Sequence, residues 1–129
     1  MTLPPDCPPT SAESPQGIFY RLAHPQLSPG ERPPAEDWIL PHAKRKGDCA
    51  GRTDLCRCHA HSLFSELSDA VRVKELIPAL RRKTIAEIEL SPDMGMIEAT
   101  PSDAGDSHHD WWPAEPELHP TATVVEAHA

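Results

Sequence analysis

The chain has 129 residues, 16 prolines and a formal net charge of −8. Leu, Ile, Val and Phe make up about 18% of it, which lies near the boundary between folded and disordered chains. These numbers exclude two full domains, and the acidic balance argues against non-specific binding to nucleic acid.

We expect neither a membrane span nor an export signal in this sequence. No run approaches the roughly 18 apolar residues that a span needs, so no membrane partner is expected. The first residues, MTLPPDCPPT, have no basic start and no apolar core of a signal peptide. We therefore predict a cytoplasmic protein, whose four cysteines are thiols or metal ligands rather than disulfides.

Charge is distributed unevenly along the chain. All 12 Lys and Arg lie between Arg21 and Lys83, and the stretch 84–129 carries ten acids. The first 83 residues thus carry +2 and the last 46 carry −10. Either the acidic part docks on the basic part within one fold, or a basic loop at 44–52 and the acidic end face partners.

The first 41 residues hold ten of the prolines. Residues 1–16 have almost no apolar content and no periodicity, which predicts a disordered tail. Cys7 lies in this tail and is expected to be an exposed free thiol.

Residues 17–126 are predicted to form one α+β domain. Apolar alternation predicts strands at 18–23, 55–61, 84–90, 94–100 and 121–126. Apolar residues at three- and four-residue steps predict a helix at about 66–77, begun at Ser65 or Ser68. Long loops are expected at 25–37, 42–54 and 101–120. This order predicts a small mixed or mostly antiparallel sheet with one main helix.

Soft metal ligands cluster within 13 residues, at Cys49, Cys56, Cys58, His59 and His61. Sulfur and imidazole ligands suit zinc, but the spacing departs from that of zinc fingers. A strand at 55–61 would also send its cysteines and histidines to opposite faces. Two interpretations stay open: a zinc site at Cys49, Cys56, Cys58 and His61, or buried cysteines with histidines facing a cleft or solvent.

The segment SHHDWWP, at 107–113, places two of the three tryptophans in a polar context. One of them fills the edge of the core, or Trp111 or Trp112 stacks on a base beside a histidine that transfers protons. The adjacent serine, histidines and aspartate cannot form a triad by themselves, because neighbouring residues do not face one another.

Four segments carry a resemblance by their order: FYRLAH, SLFSELSDA, IAEIEL and the late histidine–tryptophan segment. Together they resemble small bacterial and phage proteins with an ADP-ribosyltransferase-like core. The resemblance covers roughly 17–126 and implies binding of a NAD-like dinucleotide. It places Arg21 or His24 at the first-strand position that orients the dinucleotide, and Ser62 at the middle motif.

The resemblance leaves the catalytic acid without a clear counterpart, and Glu115 and Glu126 are the candidates. Arginines suit the pyrophosphate because they form bidentate contacts, and the candidates are Arg21, Arg52 and Arg57. Trp111 or Trp112 would cover one of the rings.

Two functions follow from these features. The first is nucleotide binding with ADP-ribosyl transfer or glycosidic cleavage, in which Arg21, Ser62 and His109 are catalytic and share one cleft with His24. The second is a non-catalytic interaction or accessory protein, stabilised by zinc, with a protein partner. The sequence leaves open whether the chain is an enzyme.

Overall fold

The computed structural model describes residues 3–40, 56–115 and 118–125. Within these ranges the chain forms one α-helix, α1 (Leu67–Leu76), and six strands. The strands are β1 (Gly17–Ala23), β2 (His61–Phe64), β3 (Thr84–Leu90), β4 (Gly95–Ala99), β5 (His108–Pro113) and β6 (Thr121–Val125).

The six strands form one sheet in the order β4-β5-β2-β1-β3-β6, and every neighbouring pair is antiparallel. The predicted α+β class with a mostly antiparallel sheet is therefore confirmed. The sheet consists of two three-stranded halves, because β1 and β2 pair at one position only, Tyr20 with Phe64. By contrast, β1 pairs with β3 at seven positions.

Strand β3 has the bounds that its alternation predicts. Ala86, Ile88 and Leu90 point into one core cluster, and Ile85 points into the other. Both isoleucines are fully buried, and each contributes about 1.5–3 kcal/mol through removal of apolar surface from water.

Helix α1 also forms where it is predicted, to within one residue at each end. Its buried residues are Ala70, Val71 and Val73. They pack on Phe64 and Ile85, which defines the helix face of the sheet.

The helix start differs from the prediction that Ser65 or Ser68 caps it. Glu66 is the N-cap residue and makes no side-chain cap. Instead, Asp69 Oδ2 accepts the Ser107 backbone N–H at 3.0 Å. Hydrogen bonds from the Ser107 side chain and backbone hold the pKa of Asp69 below its usual range, so the first turn is tied to the start of β5.

The predicted loop at 101–120 contains a strand, β5. Four of its residues are buried, namely His108, Asp110, Trp111 and Trp112. A central strand covered on both faces lacks the alternation of apolar and polar residues that reveals a strand in sequence. The pattern HHDWWP therefore suggests a loop, although it forms a strand that is paired on both sides within the sheet.

The predicted strand at 55–61 is wrong for most of its length. Arg57–His59 form a 3-10 helix, and β2 begins only at His61. The turn is held by backbone hydrogen bonds from His59 N–H to the Cys56 carbonyl and from Ala60 N–H to the Arg57 carbonyl, at 3.0 and 3.1 Å. Apolar alternation does not register such local hydrogen bonds.

The N-terminal residues contact the sheet where the sequence predicts a disordered tail. Cys7 and Cys56 form a disulfide, so the expectation of a free thiol at Cys7 is wrong. Glu13 exchanges two backbone hydrogen bonds with Ile97 on the outer edge of β4, at 2.8 and 2.7 Å. A disulfide partner 49 residues away cannot be deduced from cysteine spacing alone.

The other sheet edge is covered in a similar way. The Gly30 N–H donates to the Val124 carbonyl, and the Val124 N–H donates to the Glu31 carbonyl, both at 2.8 Å. Proline-flanked segments thus form hydrogen bonds to the outer edges of β4 and β6. Without these segments, both strands would present more unpaired backbone groups to other chains.

The described helix is too short and too polar to cross a bilayer. Four sequence predictions, the basic loop at 42–54, Cys49, Arg52 and Glu126, fall outside the described residues.

Gly95 provides a test of the turn into β4. Its φ is +124°, and an added Cβ would overlap the Trp112 carbonyl oxygen and lie 2.8 Å from the Ala114 nitrogen. Gly30 also has a positive φ, +93°, but its surroundings are open. We expect Gly95→Ala to lower the free energy of unfolding by about 3 kcal/mol or more, and Gly30→Ala by about 1–2 kcal/mol. Urea denaturation measures both, and equal losses would contradict the close approach at Gly95.

Candidate functional site

The candidate site is an opening between β1 and β2, the two central strands. Beyond the single Tyr20–Phe64 pair, the Arg21 side chain spans the gap, and its Nη1 donates to the Ser62 carbonyl at 3.3 Å. A cavity of about 300 Å³ lies here. Adjacent strand residues point to opposite faces, yet Arg21 and Leu22 both line this cavity, because it opens at the gap between the strands.

We call this cavity the strand-gap pocket. Its polar lining residues are Arg21, Ser62, Lys83 and His108. Its apolar lining residues are Leu22, Phe64, Val73, Leu80 and Ala104. Two lining residues are basic, and none of those in the described part of the chain carries a carboxylate, so the pocket favours an anionic ligand.

Arg21 is held from three sides. Besides Ser62, its Nη2 donates to the Asp37 carbonyl at 2.9 Å, and its guanidinium lies 5.4 Å from the centre of the Trp38 ring. Burial lowers the pKa of Arg21 to about 10, while the Asp37 charge acts in the opposite direction. Arg21 therefore still carries its positive charge at neutral pH.

His108 is nearly buried beside the pocket, and its ring lies edge-on to Phe64. Its Nδ1 is 3.1 Å from the Thr100 carbonyl and 2.9 Å from the Thr100 hydroxyl. Because a carbonyl oxygen only accepts, we assign the proton to Nδ1, which leaves Nε2 as the acceptor of the neutral ring. Burial lowers the pKa of His108, with the charges of Arg57 and His109 adding to the effect and Asp110 opposing it.

Asp110 brings a carboxylate to the same face. It lies directly opposite Ser62 in the β2–β5 register, so both side chains point to the helix face together with His108. Asp110 is 3% exposed, and its Oδ2 accepts from Arg57 Nε at 3.0 Å. This pairing supplies the opposite charge that a buried carboxylate requires.

The structure does not bring together all of the predicted catalytic residues. Arg21 and Ser62 line the strand-gap pocket, whereas His109 points to the opposite face, where its ring contacts Phe19 edge-on. His109 instead lines a second cavity, of about 340 Å³, at the β4 edge with Ser11 and Glu13. Its Nδ1 is 2.7 Å from the Ser107 carbonyl.

Neither predicted ring-stacking tryptophan offers a face to a ligand. Trp111 is 0% and Trp112 is 3% exposed, and they point to opposite faces of the sheet. Their indole N–H groups donate at 2.9 Å to the carbonyls of Met94 and Cys56, respectively. Both rings thus fill the core, whereas the other interpretation of SHHDWWP expects this of one of them.

Two further predicted cofactor-binding residues lie outside the lining of the strand-gap pocket. The His24 N–H donates to Asp37 Oδ2 at 2.8 Å, and its ring is within 3.9 Å of Glu36 and Asp37 carboxylate oxygens. Arg57 is paired with Asp110. Of the two candidates for the first-strand role, Arg21 is therefore the one that reaches the pocket.

The predicted zinc ligands do not assemble within the described ranges. The Cys56 sulfur is bonded to Cys7, and Cys58 is disulfide-bonded as well, so neither is a thiolate that could bind zinc. His61 is buried against the rings of Trp38 and Trp111. No group of three or more suitable side chains occurs in 3–40, 56–115 or 118–125.

Three site residues escape the sequence interpretation, namely Lys83, His108 and Asp110. His108 and Asp110 can be predicted to lie together from the two-residue period of HHDWWP, provided that this segment is taken as a strand. His108 and Asp110 then share one face, and His109 faces away.

Comparisons with protein-family models, with curated proteins and with solved structures find no match. Fold and site together define an α+β protein with a small, cation-lined pocket between the two halves of its sheet.

The lowered pKa of His108 predicts a pH dependence of stability. A base whose pKa is lower in the folded state is protonated preferentially in the unfolded state. The contribution of the neutral His108 ring to the free energy of unfolding is therefore fully present above the ordinary pKa of 6.5. It is lost as the pH decreases below that value. We expect His108→Asn, which retains an N–H donor for Thr100, to flatten this decline in urea titrations at several pH values.

The control for this experiment is His119→Asn, since His119 is exposed. It should retain the decline of the unsubstituted protein. A decline that is equally steep in His108→Asn would show that His108 binds protons alike in the folded and unfolded states.

Proposed function

We propose that this protein binds a NAD-like dinucleotide in the strand-gap pocket and cleaves its glycosidic bond, by ADP-ribosyl transfer or hydrolysis. One observation carries the proposal. Arg21 and Ser62, the first-strand and middle-motif positions of the resemblance, line the same pocket, and a carboxylate, Asp110, lies opposite Ser62.

The electrostatics of the pocket support binding of a phosphate group. Arg21 and Lys83 supply two positive charges, and charge-assisted hydrogen bonds are the stronger class of polar contact. A volume of about 300 Å³ is at the small end of ligand pockets. We therefore assign the pocket to the nicotinamide ribose and the neighbouring phosphate, with the rest of the ligand outside.

The catalytic part of the proposal concerns the bond between ribose and nicotinamide. As this bond breaks, its electron pair leaves with the nicotinamide and positive charge develops on the ribose. Asp110 does not line the pocket, but it lies opposite Ser62, which does, and we assign its carboxylate to stabilise that charge from this position. Its Oδ2 accepts a hydrogen bond from Arg57 Nε at 3.0 Å, which holds the carboxylate in place.

His108 replaces His109 as the proposed proton acceptor. The attacking water or acceptor group forms the new bond to the ribose carbon and must lose a proton. The neutral His108 ring has Nε2 available as an acceptor, while Thr100 fixes the proton on Nδ1. His109 lies on the other face of the sheet and takes no part in this proposal.

Binding can be tested with two neighbouring cations. Lys83 lines the pocket, whereas Arg82 is exposed and does not. We expect Lys83→Gln to weaken NAD binding about 10-fold or more in isothermal titration calorimetry, because it removes a charge-assisted contact. Arg82→Gln should have little effect. No heat at millimolar NAD, or equal losses in both variants, would contradict the assigned pocket.

Catalysis can be tested separately, by following nicotinamide release. Asp110→Asn should lower the rate about 100-fold or more while NAD still binds, since the carboxylate acts on charge that develops during bond cleavage. Asp106→Asn, at an exposed acid that precedes β5, is the control. Release that is unchanged in Asp110→Asn would remove Asp110 from the mechanism.

A second candidate, a non-catalytic interaction protein, is favoured by the corner that follows α1. Leu76 and Ile77 are 64% and 44% exposed, and Arg81 and Arg82 are exposed nearby. An apolar tip beside cations suits a protein partner with an acidic rim. This candidate predicts that charge reversal at Arg81 and Arg82 weakens partner binding and leaves NAD titrations unchanged.

The predicted cytoplasmic location belongs to the same proposal. Cytoplasmic reductants keep most thiols reduced, whereas the structure contains the Cys7–Cys56 disulfide. The cellular location of the protein therefore determines whether Cys7 and Cys56 are joined by a disulfide or are reduced to thiols.

A further inference from the structure

The residues from Cys7 to Pro15 form a segment that we call the strap. It lies against the outer edge of β4 and has no helix of its own. Its hydrogen bonds and covalent links to the rest of the described chain are few: the disulfide to Cys56, the Glu13 backbone pair with Ile97, and a hydrogen bond from the Ser11 hydroxyl to the Glu98 carboxylate.

The two ends of the strap are anchored differently. Its C-terminal end continues directly into β1 at Gly17, and Pro15 is fully buried, so this end stays with the sheet. Among the described residues, its N-terminal end is fastened covalently by the disulfide to Cys56, and the Ser11 hydroxyl adds a hydrogen bond to Glu98. A segment held by so few contacts opens locally at low cost in free energy.

Cys56 also connects the strap to the candidate site. Its carbonyl accepts the Trp112 indole N–H at 2.9 Å, and the next residue, Arg57, pairs with Asp110. Both cysteines of the disulfide are only partly buried, so a small reductant can approach them.

We propose that the Cys7–Cys56 disulfide is a redox-controlled fastener: its reduction releases the strap and opens the β4 edge, together with the cavity lined by Glu13 and His109. The proposal goes beyond the proposed function and does not depend on dinucleotide binding.

The redox step needs a dithiol as reductant. One thiolate of the dithiol attacks one sulfur of the disulfide and forms a mixed disulfide, and its second thiol then displaces the protein sulfur. Two electrons and two protons pass to the protein. Cys7 and Cys56 end as thiols, and the dithiol ends as a cyclic disulfide.

The open form has a defined surface. Ile97 uses its N–H and carbonyl to pair with Glu13 in the closed form. Once the strap leaves, both groups point to solvent on an edge strand, where an extended segment of another chain can pair with them. Reduction would thus convert a covered edge into an interaction surface.

The first measurement is disulfide mapping of the full chain, by proteolysis and mass spectrometry without reductant. A cross-linked peptide containing Cys7 and Cys56 is expected. Its absence from protein purified without reductant would overturn the proposal.

The second measurement is hydrogen exchange of the full chain, with and without dithiothreitol. Amides in 9–15 and in β4 should exchange about tenfold faster or more after reduction, whereas those of β1 and β3 stay protected. Protection of the strap and β4 that does not change on reduction would overturn the proposal. Protection of β1 and β3 shows that the fold is retained.

A matched variant separates this disulfide from the one that contains Cys58. The double substitution Cys7→Ser with Cys56→Ser removes only the fastener. Without reductant, it should show the fast exchange of the reduced protein in 9–15 and β4, and dithiothreitol should add nothing there. A variant that exchanges like the oxidised protein would show that the disulfide does not hold the strap.

Discussion

The Arg21 side chain joins the two halves of the sheet where backbone pairing stops. Strands β1 and β2 share one paired position, and the Arg21 guanidinium then bonds to the Ser62 carbonyl of one half and to the Asp37 carbonyl beside the other. Burying a cation is costly, and this burial lowers the pKa of Arg21 to about 10. A sheet closed by a hydrophobic residue here would avoid the cost but would leave carbonyls without donors. The Arg21 side chain therefore spans the gap between β1 and β2 and also supplies positive charge to the pocket.

Strand β5 places chemistry in the middle of the sheet for a related reason. A strand covered on both faces can contain polar residues only where other groups satisfy them. His108 forms a hydrogen bond with Thr100, and Asp110 forms an ion pair with Arg57. Trp111 and Trp112 follow Asp110 along the strand and are buried on opposite faces of the sheet.

The periodic spacing of apolar residues explains which elements of the fold can be predicted from the sequence. Strand β3 has one apolar face and helix α1 has an apolar stripe, so both are predicted to within a residue. Arg21 and Ser62 are predicted as site residues on chain order, and both reach the pocket. His109 is chosen where His108 lies in the site, because a doubly buried strand gives no sign of which residue faces which side. Cys7 is predicted to be free because its partner is remote in sequence and lies in a turn.

The prolines have a structural role that the average composition of the whole chain does not indicate. Prolines lower the apolar fraction and suggest disorder, yet proline-flanked segments lie along both outer strands. Proline has no N–H to donate, so such a segment can make a few hydrogen bonds to an edge without offering a continuous new edge of its own. It also gains little from packing, so its attachment needs another source of stability. On β4 a covalent bond adds to the two backbone hydrogen bonds between Glu13 and Ile97, which makes this edge sensitive to redox conditions. On β6 backbone hydrogen bonds to Val124 hold the covering segment within a connected loop, so the two edges differ in how they can be opened.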